Sequence, residues 1–361
     1  MRYRKLGRTG LVVSEMCLGT MTFGGDGFWK AIGAQDQTEV NGLVKGAFDA
    51  GVNFFDTADV YSNGLSEVML GQAIRDTGLR RDEVVVATKG HGRLSEIVPE
   101  SATPAQLAEA KRRQTAMNIN GQSRKHLFNA IDDSLKRLKL DYVDLYQIHG
   151  FDPLTPMDEV LDALNDIVKS GRARYIGLCN LAAWQIALAL GISERKGYAR
   201  FASAQMYYSM AGRDIEREVA PLALAERLAI LPWSPLAGGF MSGKFQREGG
   251  GPNDARRAAF DFPPVNKERG FDIIDVIRPI AERHGASVAR VALAWLLTRP
   301  FVTSVIIGAK TQDQLADNIA ATEVKLSTEE IAELDQISAL PSEYPGWMMD
   351  RMGADRAGQI S

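Results

Sequence analysis

Strand-like and helix-like stretches alternate along this chain, and no other feature restricts its fold as strongly. Short apolar runs are each followed by a longer segment of helical periodicity, which is typical of a parallel sheet with crossover helices. The strands are predicted near residues 15–18, 53–55, 84–88, 142–148, 175–178, 202–205, 229–233 and 304–307. The helices are predicted near residues 38–50, 66–75, 123–138, 156–169, 182–190, 214–228, 273–283 with 288–298, and 311–320. Eight such units predict an α/β fold with a (β/α)8 barrel.

Further segments lie outside these units. They are an N-terminal β-hairpin around residues 7–10, insertions at 90–122 and 238–270, and a C-terminal extension at 322–361. Insertions of this length in βα-loops are typical of lids, although the helix-forming run in 99–114 fits a peripheral helix equally well. A capping box that starts at Ser327 predicts a helix through Ile337, after which the tail either covers the barrel mouth or hangs free. No change in composition divides residues 1–361, so a single domain is expected.

Composition limits the partners. The chain has 361 residues, 45% of them hydrophobic, and a net charge of −3, and its basic cluster at 111–113 is short, which disfavours a nucleic-acid partner. A secretory signal is not expected, because no apolar region follows the charged start MRYRKLGRTG. A membrane partner is not expected either, because the longest apolar stretch, 291–297, is far below the roughly 20 residues of a membrane span. Cys17 and Cys179 fall in predicted strands, which fits core residues in a reducing cytoplasm better than a disulfide. The sequence does not indicate an oligomeric state.

Polar residues directly follow several predicted strands. Asp56, Lys89 and His149 follow the second, third and fourth strands, and Tyr61 lies five residues beyond Asp56. Because the carboxyl ends of barrel strands converge on one pocket, these four side chains are expected to meet there. Taken singly, each has an ordinary explanation as a turn residue, a packed ring, a solvated strand end or a satisfied core or surface histidine. Their joint placement predicts a catalytic site.

A candidate anion site follows the last predicted strand. Thr311 and Gln314 match a capping box at a helix start, where free backbone N–H groups and the helix dipole favour an anion. Lys310 adds a positive charge at that point. Elsewhere Cys, His and carboxylate residues do not recur at metal-ligand spacing, so no metal site is expected.

Seven collinear segments together resemble the aldo-keto reductase family. They read KLGRTGLVVSEMCLGTMTFGG, NFFDTADVY, ATKG, SLKRLKLDYVDLYQIH, GRARYIGLCN, LPWSPLAGG and VIIGAKTQDQLADN. The resemblance implies an NAD(P)H-dependent carbonyl reductase on a (β/α)8 barrel, with a small-molecule aldehyde or ketone as its substrate. By motif, Tyr61 corresponds to the general acid, Asp56 and Lys89 to its supporting pair, and His149 to the substrate-orienting residue. The chemistry is consistent, because an ammonium beside tyrosine lowers the phenol pKa and a carboxylate keeps that ammonium charged.

The resemblance also implies a cofactor site. Trp233 would stack on the nicotinamide, and Asn180 and Gln205 would bind its carboxamide. A group around Lys310 would hold a 2′-phosphate, which favours NADPH over NADH. The complete implied cofactor set is Gly19, Thr20, Met21, Asp56, Asn180, Gln205, Trp233, Ser234, Leu236, Gly238, Lys244, Gly308, Lys310, Thr311, Gln314 and Asn318. Two departures from the family pattern are Cys179, where serine is common, and the YSNGLSE spacing behind the tyrosine.

The expected substrate site combines aromatic and catalytic residues. Phe28 and Trp29, in the loop 21–32, would line an apolar mouth beside Tyr61 and His149, with the 90–122 insertion and Trp347 as further candidates for its wall. Such a mouth suits bulky or hydrophobic aldehydes and ketones, including polycyclic keto compounds.

Two alternative functions stay open. One is a regulatory barrel that binds cofactor beside a protein partner, as some relatives do at membrane channels. The other is a P-loop nucleotide hydrolase, because residues 238–244 read G-x-x-x-x-G-K, although Phe245 stands where a hydroxyl should follow.

Overall fold

Eight parallel strands form one sheet in the computed structural model, which describes residues 1–25, 27–94, 102–251, 257 and 260–357. A two-stranded antiparallel hairpin, β1 with β2, precedes that sheet. The strands are β1 Tyr3–Lys5, β2 Val12–Ser14, β3 Met16–Gly19, β4 Phe54–Asp56, β5 Val85–Gly90, β6 Val143–Ile148, β7 Ala173–Cys179, β8 Phe201–Tyr207, β9 Ala229–Trp233 and β10 Val305–Ile307. The helices are α1 Gln37–Asp49, α2 Leu65–Asp76, α3 Pro104–Gln114, α4 Arg124–Leu138, α5 Met157–Lys169, α6 Ala183–Lys196, α7 Val219–Glu226, α8 Lys267–Arg283, α9 Val288–Leu297, α10 Gln312–Ile319, α11 Thr328–Ile337 and α12 Gly346–Ala357.

The sheet curls into a nearly closed barrel. Its strand order is β10-β3-β4-β5-β6-β7-β8-β9, with every neighbouring pair parallel. The two outermost strands approach through Thr303, whose N–H donates a 2.9 Å hydrogen bond to the carbonyl oxygen of Ile230. The predicted (β/α)8 barrel is therefore confirmed.

Alternate strand residues face two apolar layers. Phe55 and Val86 pack outward against the helices, whereas Phe54 belongs to an inner layer that also contains Leu6 and Val13 from the hairpin region. The hairpin thus covers the amino ends of the strands. Polar groups inside the barrel lie towards the carboxyl ends, on the side away from the hairpin.

The region after β8 differs from the prediction. Instead of one helix over 214–228, a 3-10 turn at Asp214–Glu216 precedes α7. Pro221 explains the break, because proline is tolerated in the first turn of α7 but would remove a backbone hydrogen bond inside a longer helix.

The C-terminal extension contains the predicted helix and one more. Ser327 Oγ accepts a 3.2 Å hydrogen bond from the Glu330 N–H, and the Ser327 N–H donates to Glu330 at 3.0 Å, so the predicted capping box is confirmed. The ring of Trp347, at the start of α12, lies 6.1 Å from the ring of Tyr344, and 44% of Trp347 is exposed.

Parts of several predicted segments lie outside the described residues. They are residue 26 of the mouth loop, 95–101 and 252–256 with 258–259 of the insertions, and 358–361 of the extension. In the part of the chain that the structure describes, every helix is too short or too polar to cross a membrane.

Candidate active site

The side chains of Asp56, Lys89 and Tyr61 meet at the carboxyl ends of β4 and β5. The Lys89 Nζ lies 2.5 Å from Asp56 Oδ1, 2.8 Å from the carbonyl oxygen of Thr57 and 3.2 Å from the Tyr61 hydroxyl. Lys89 is 0% exposed and Asp56 2%, so this ion pair is almost fully removed from water. A lysine buried without a partner would tend to lose its proton, and the carboxylate therefore keeps the ammonium charged.

A tight loop positions Tyr61. The residue opens the 3-10 helix Tyr61–Gly64, in which Ser62 and Asn63 take left-handed backbone angles with φ of 47° and 55°. Ser62 Oγ donates a 2.9 Å hydrogen bond to the carbonyl oxygen of Phe23. This bond ties the loop after β4 to the loop after β3 and holds the backbone that presents the phenol.

His149 completes the predicted group of four. Its ring centre lies 5.8 Å from that of Tyr61, with an interplanar angle of 77°, and its backbone N–H donates to the carbonyl oxygen of Gly90 at 3.4 Å. Burial, together with the charges of Lys89 and His91, lowers the pKa of His149 well below its ordinary value. The imidazole is therefore neutral at physiological pH and keeps one ring N–H to donate.

Burial dominates the acidity of Tyr61. It raises the pKa of the phenol above its ordinary value, although Lys89 acts to lower that pKa. The expectation of a lowered pKa is therefore wrong in this structure, because removal from water outweighs the neighbouring cation. Burial acts to lower the pKa of Lys89, but Asp56 and Tyr61 raise it above its ordinary value. At neutral pH the site holds a protonated phenol beside a charged ammonium.

Asp56 is also held by two amide groups. Its Oδ2 accepts a hydrogen bond of 2.9 Å from Gln147 Nε2 and another of 2.9 Å from Gln205 Nε2. Gln147 was not among the predicted site residues. The alternation of β6 could have revealed it, since Leu145 and Gln147 lie on the same inward face and a buried polar group needs partners.

The implied pair Asn180 and Gln205 meets through the backbone, where the Asn180 N–H donates to the carbonyl oxygen of Gln205 at 3.2 Å. Asn180 Oδ1 accepts a 2.9 Å hydrogen bond from the Trp233 ring N–H. The Trp233 ring lies 5.7 Å from the ring of Phe262, nearly parallel at 12°, and 5.2 Å from that of Tyr207. These residues form one corner of the barrel mouth.

A cavity of about 800 Å³ opens between the loops after β9 and β10. Its predicted lining residues are Ser234, Leu236, Gly238, Lys244, Gly308, Lys310, Gln314 and Asn318. Its size is in the range of ligand pockets. Gly238 takes a φ of +66°, and a Cβ there would lie 2.5 Å from the carbonyl oxygen of Phe262, so this loop packs against the Phe262 backbone at a distance that only glycine permits. The size of the cavity and the two lysines that line it, Lys244 and Lys310, fit an extended dinucleotide.

The candidate anion site after β10 borders this cavity, which Lys310 and Gln314 line. Thr311 Oγ1 accepts a 3.2 Å hydrogen bond from the Gln314 N–H, but Gln314 Oε1 accepts from the Lys310 N–H at 2.8 Å. Only half of the expected capping box forms, because the amide reaches one residue further back. The Asn318 amide donates to the carbonyl oxygen of Gly308 at 3.1 Å and fixes the loop after β10.

Sequence reasoning missed other residues of the cavity wall. Ser287 and Asp317 line it, and Asp317 is neutralised by Arg290 at 2.6 Å and bonded to Ser287 at 2.7 Å. Ser287 could have been found from the sequence, because it is the N-cap residue at the start of α9. Thr22 also lines the cavity, and its hydroxyl donates to the carbonyl oxygen of Ala309 at 3.1 Å.

The three predicted cofactor residues at the carboxyl end of β3, Gly19, Thr20 and Met21, are not among the residues that line this cavity. Gly19 pairs with Asp56 in the sheet, and the Thr20 N–H donates to the Asp56 carbonyl oxygen at 2.9 Å. Met21 is half-buried, and the neighbouring Thr22 takes the place at the cavity wall.

Aromatic rings form an arc across the barrel mouth. The Trp29 ring lies 5.7 Å from that of Tyr61 and 5.8 Å from that of Phe28. Phe28 contacts Phe260 at 5.1 Å, and Phe260 contacts Phe262 at 5.3 Å. The second half of this arc, from the 238–270 insertion, was not predicted.

The nucleotide-hydrolase alternative does not match the structure. Residues Ala237–Ser242 form a 3-10 helix in which Gly238 and Gly239 take positive φ, and no helix begins at Lys244. A phosphate-binding P-loop needs a helix that starts at its lysine. Within the described residues, His, Cys, Asp and Glu side chains do not gather in groups of three or more that could hold a metal ion.

Comparison with known proteins agrees with this geometry. Residues 15–339 match the model of the aldo/keto reductase family. The chain belongs to this family. Its relatives include versiconal hemiacetal acetate reductase of Aspergillus parasiticus, 34% identical over 96% of this chain and 99% of the relative. A putative aryl-alcohol dehydrogenase of Schizosaccharomyces pombe is 34% identical over 92% and 95%, and a probable voltage-gated potassium channel subunit beta of Oryza sativa subsp. japonica is 35% identical over 96% and 98%.

Family membership supports an oxidoreductase. Aldo-keto reductases use nicotinamide cofactors, generally NADP(H), and act on small carbonyl substrates. The open carboxyl end of the barrel, with its cavity and its Asp56, Lys89 and Tyr61 cluster, is the candidate site for that activity.

Proposed function

We propose that this aldo-keto reductase reduces aldehydes or ketones with NADPH, reversibly, with residues 1–361 acting as one domain. The observation that carries this proposal is the 3.2 Å contact between the Tyr61 hydroxyl and Lys89 Nζ. The neutral ring of His149 lies beside that contact, and the dinucleotide-sized cavity opens at the same end of the barrel.

The residues have separate tasks. When bound, NADPH supplies a hydride to the carbonyl carbon, so negative charge develops on the carbonyl oxygen. Tyr61 donates its phenolic proton to that oxygen, and the ammonium of Lys89 stabilises the phenolate left behind. Asp56 keeps Lys89 charged, and the ring N–H of His149 donates a second hydrogen bond that fixes the approach of the carbonyl.

The cofactor assignment is supported by charge at the cavity. Lys244 and Lys310 line it together with the start of α10, which suits the pyrophosphate and a 2′-phosphate. One lining carboxylate, Asp317, is already neutralised by Arg290. We further propose that the nicotinamide ring of the bound cofactor stacks on the ring of Trp233.

Replacing Tyr61 by phenylalanine tests the catalytic assignment. We expect kcat for NADPH-dependent aldehyde reduction to fall at least about 100-fold, the usual range for a lost general acid, with little change in the Kd for NADPH. Tyr208→Phe is the matched control, because Tyr208 is buried and bonded to Glu216 away from the site. Unchanged turnover by the Tyr61 variant would contradict the assignment.

Replacing Lys310 by methionine tests the cofactor preference. The Kd for NADPH should rise about tenfold and the Kd for NADH should stay nearly constant, because only NADPH carries the 2′-phosphate. Lys325→Met, at an exposed position beyond α10, is the control. Equal losses for both cofactors would show that Lys310 does not select the phosphate.

We propose that the substrate carries an aromatic ring. Trp29 and Phe28 extend the catalytic cluster outward as a row of rings, and edge-to-face packing favours a planar aromatic guest. The name of the fission yeast relative agrees with this class.

Benzaldehyde and cyclohexanecarbaldehyde test this class, because their rings have equal carbon counts and differ in planarity. Wild type should prefer benzaldehyde in kcat/KM, and Phe28→Leu or Trp29→Leu should reduce that preference several-fold. Tyr3→Leu, at the hairpin end, should not change it. A wild-type ratio near one would contradict the aromatic class.

One comparison favours a second candidate function. The relative from rice is named as a probable channel subunit, so a cofactor-binding barrel that acts through a protein partner is the alternative. Tight NADPH binding without turnover of any aldehyde or ketone in a broad panel would favour it.

A further inference from the structure

Gln147 lies in the middle of the polar network inside the barrel. It is 0% exposed and pairs in the sheet with Gly177 of β7. A Cβ on Gly177 would lie 3.0 Å from Gln147 Cγ. The glycine therefore leaves room for a long polar side chain to cross the barrel interior, where an apolar residue would otherwise be expected.

The charge on Asp56 determines how the surrounding amides are turned. A carboxylate bound to an ammonium can only accept hydrogen bonds, so Gln147 and Gln205 must both present their NH2 groups to Asp56 Oδ2. Gln147 Oε1 then lies 3.3 Å from Gln205 Nε2 and accepts its remaining N–H. It also lies 4.0 Å from Cys179 Sγ.

This arrangement uses both N–H groups of Gln205. One is donated to Asp56 and the other to Gln147, so the Gln205 carbonyl oxygen is left as its free polar end. At the proposed nicotinamide site, Gln205 would then accept a hydrogen bond from the carboxamide NH2 and could not donate to the carboxamide oxygen.

We propose that Gln147 is a positioning residue that orients the Asp56 carboxylate for Lys89 and, at the same time, fixes the amide of Gln205 as an acceptor for the cofactor carboxamide. This inference rests on the proposed function. It links the proton-donating half of the site to the nicotinamide half through one side chain that touches neither the substrate nor the reacting atoms.

Gln147→Met tests the inference, because methionine keeps the length of the side chain and removes its hydrogen bonds. We expect kcat to fall about tenfold, as for a lost hydrogen bond to a charged group. The readout specific to the amide uses the 3-acetylpyridine analogue of NADPH, in which a methyl group replaces the NH2. Wild type should bind NADPH more tightly than the analogue. In the variant, the ratio of the Kd for the analogue to the Kd for NADPH should be at least about threefold smaller than in wild type.

Gln185→Met is the matched control. Gln185 is also buried, but its Oε1 accepts from the Ala182 N–H at the start of α6, away from the site. This variant should lose stability in urea unfolding and keep both kcat and cofactor discrimination. If Gln147→Met behaves in the same way, Gln147 only fills space and the inference is overturned.

Gln147→Glu adds a signature that a structural role would not produce. Two carboxylates in contact share a proton, so this variant should be active while the pair is protonated and lose activity as the pH rises through that titration. Wild type and Gln147→Met should not show this loss of activity with rising pH. The titratable groups around the position are Cys17 on β3, Asp56 on β4, Tyr61 after β4, Lys89 on β5, His149 after β6 and Cys179 on β7.

The outcomes separate the inference from the proposed function. A wild type that neither binds NADPH nor reduces any carbonyl overturns both. A wild type that does both, with a Gln147→Glu profile identical to its own, overturns the inference alone.

Discussion

Replacing Lys89 by methionine should destabilise the fold far more than the loss of an exposed ion pair would. The substitution keeps much of the side-chain volume, so the main change is the loss of the cation 2.5 Å from Asp56 Oδ1. Asp56, 2% exposed, would keep its hydrogen bonds from Gln147 and Gln205 but would have no cation beside it. Breaking a buried pair in this way typically costs 3–5 kcal/mol. Because two amide donors remain, we expect about 3 kcal/mol.

Urea unfolding of wild type and variant, followed by circular dichroism, measures this difference. Lys45→Met is the matched control, because the Lys45–Asp49 pair is exposed, with 47% and 56% of the side chains accessible, and pairs of that kind contribute about 0–1 kcal/mol. Adding Asp56→Asn to Lys89→Met removes the stranded charge and should recover at least half of the loss. A Lys89→Met cost no larger than that of Lys45→Met would refute the reasoning.

Three further predictions concern other parts of the chain. Asp59 is buried and one of its oxygens has no hydrogen-bond partner among the described residues; burial, reinforced by Glu67, raises its pKa from 3.8 to about 7. The folded state therefore holds this proton more tightly than the unfolded state. The resulting stability is present below pH ~4 and is lost as the pH rises through about 7. Asp59→Asn should therefore stabilise the protein by up to about 4 kcal/mol at pH 8 and change its stability little at pH 4, as measured by urea unfolding at the two pH values. Gly238→Ala and Gly285→Ala both place alanine at positive φ, which should cost about 1 kcal/mol at either position. A Cβ clashes only at Gly238, so Gly238→Ala should lose more stability than Gly285→Ala, and only Gly238→Ala should raise the Kd for NADPH, as measured by fluorescence titration. Cys17 and Cys179 are buried, and burial raises the pKa of both thiols. A thiol reagent at pH 8 should therefore label neither cysteine in the native protein and both after unfolding. Rapid labelling of the native protein would contradict this prediction.

Several features could be predicted because they depend on residues close together in the chain. The capping box at Ser327 involves a side chain and a backbone three residues apart, and the strand pattern needs only the local alternation of apolar residues. Asp56, Lys89 and His149 could be grouped in advance because each follows a parallel strand, and those strands end at the same face.

Other features could not be predicted because they join distant parts of the chain. Gln147 and Asp56 are separated by 91 positions and Gln147 and Gln205 by 58, and no local pattern shows that three inward polar groups will meet. The contact between Phe260 and Phe28 also joins distant parts of the chain. It could not be predicted, because the insertion around Phe260 has no helical or strand periodicity from which its path could be inferred.

The sequence by itself determined the order of strands and helices, the barrel class and the presence of a tyrosine, a lysine and a carboxylate at one rim, since short-range patterning and parallel topology suffice for these. The tertiary structure decided which amides hold Asp56, which rings border the mouth and whether burial or Lys89 controls the acidity of Tyr61. The physical reason is that hydrogen-bond partners and desolvation depend on how the closed barrel packs, and that packing is a property of the whole chain.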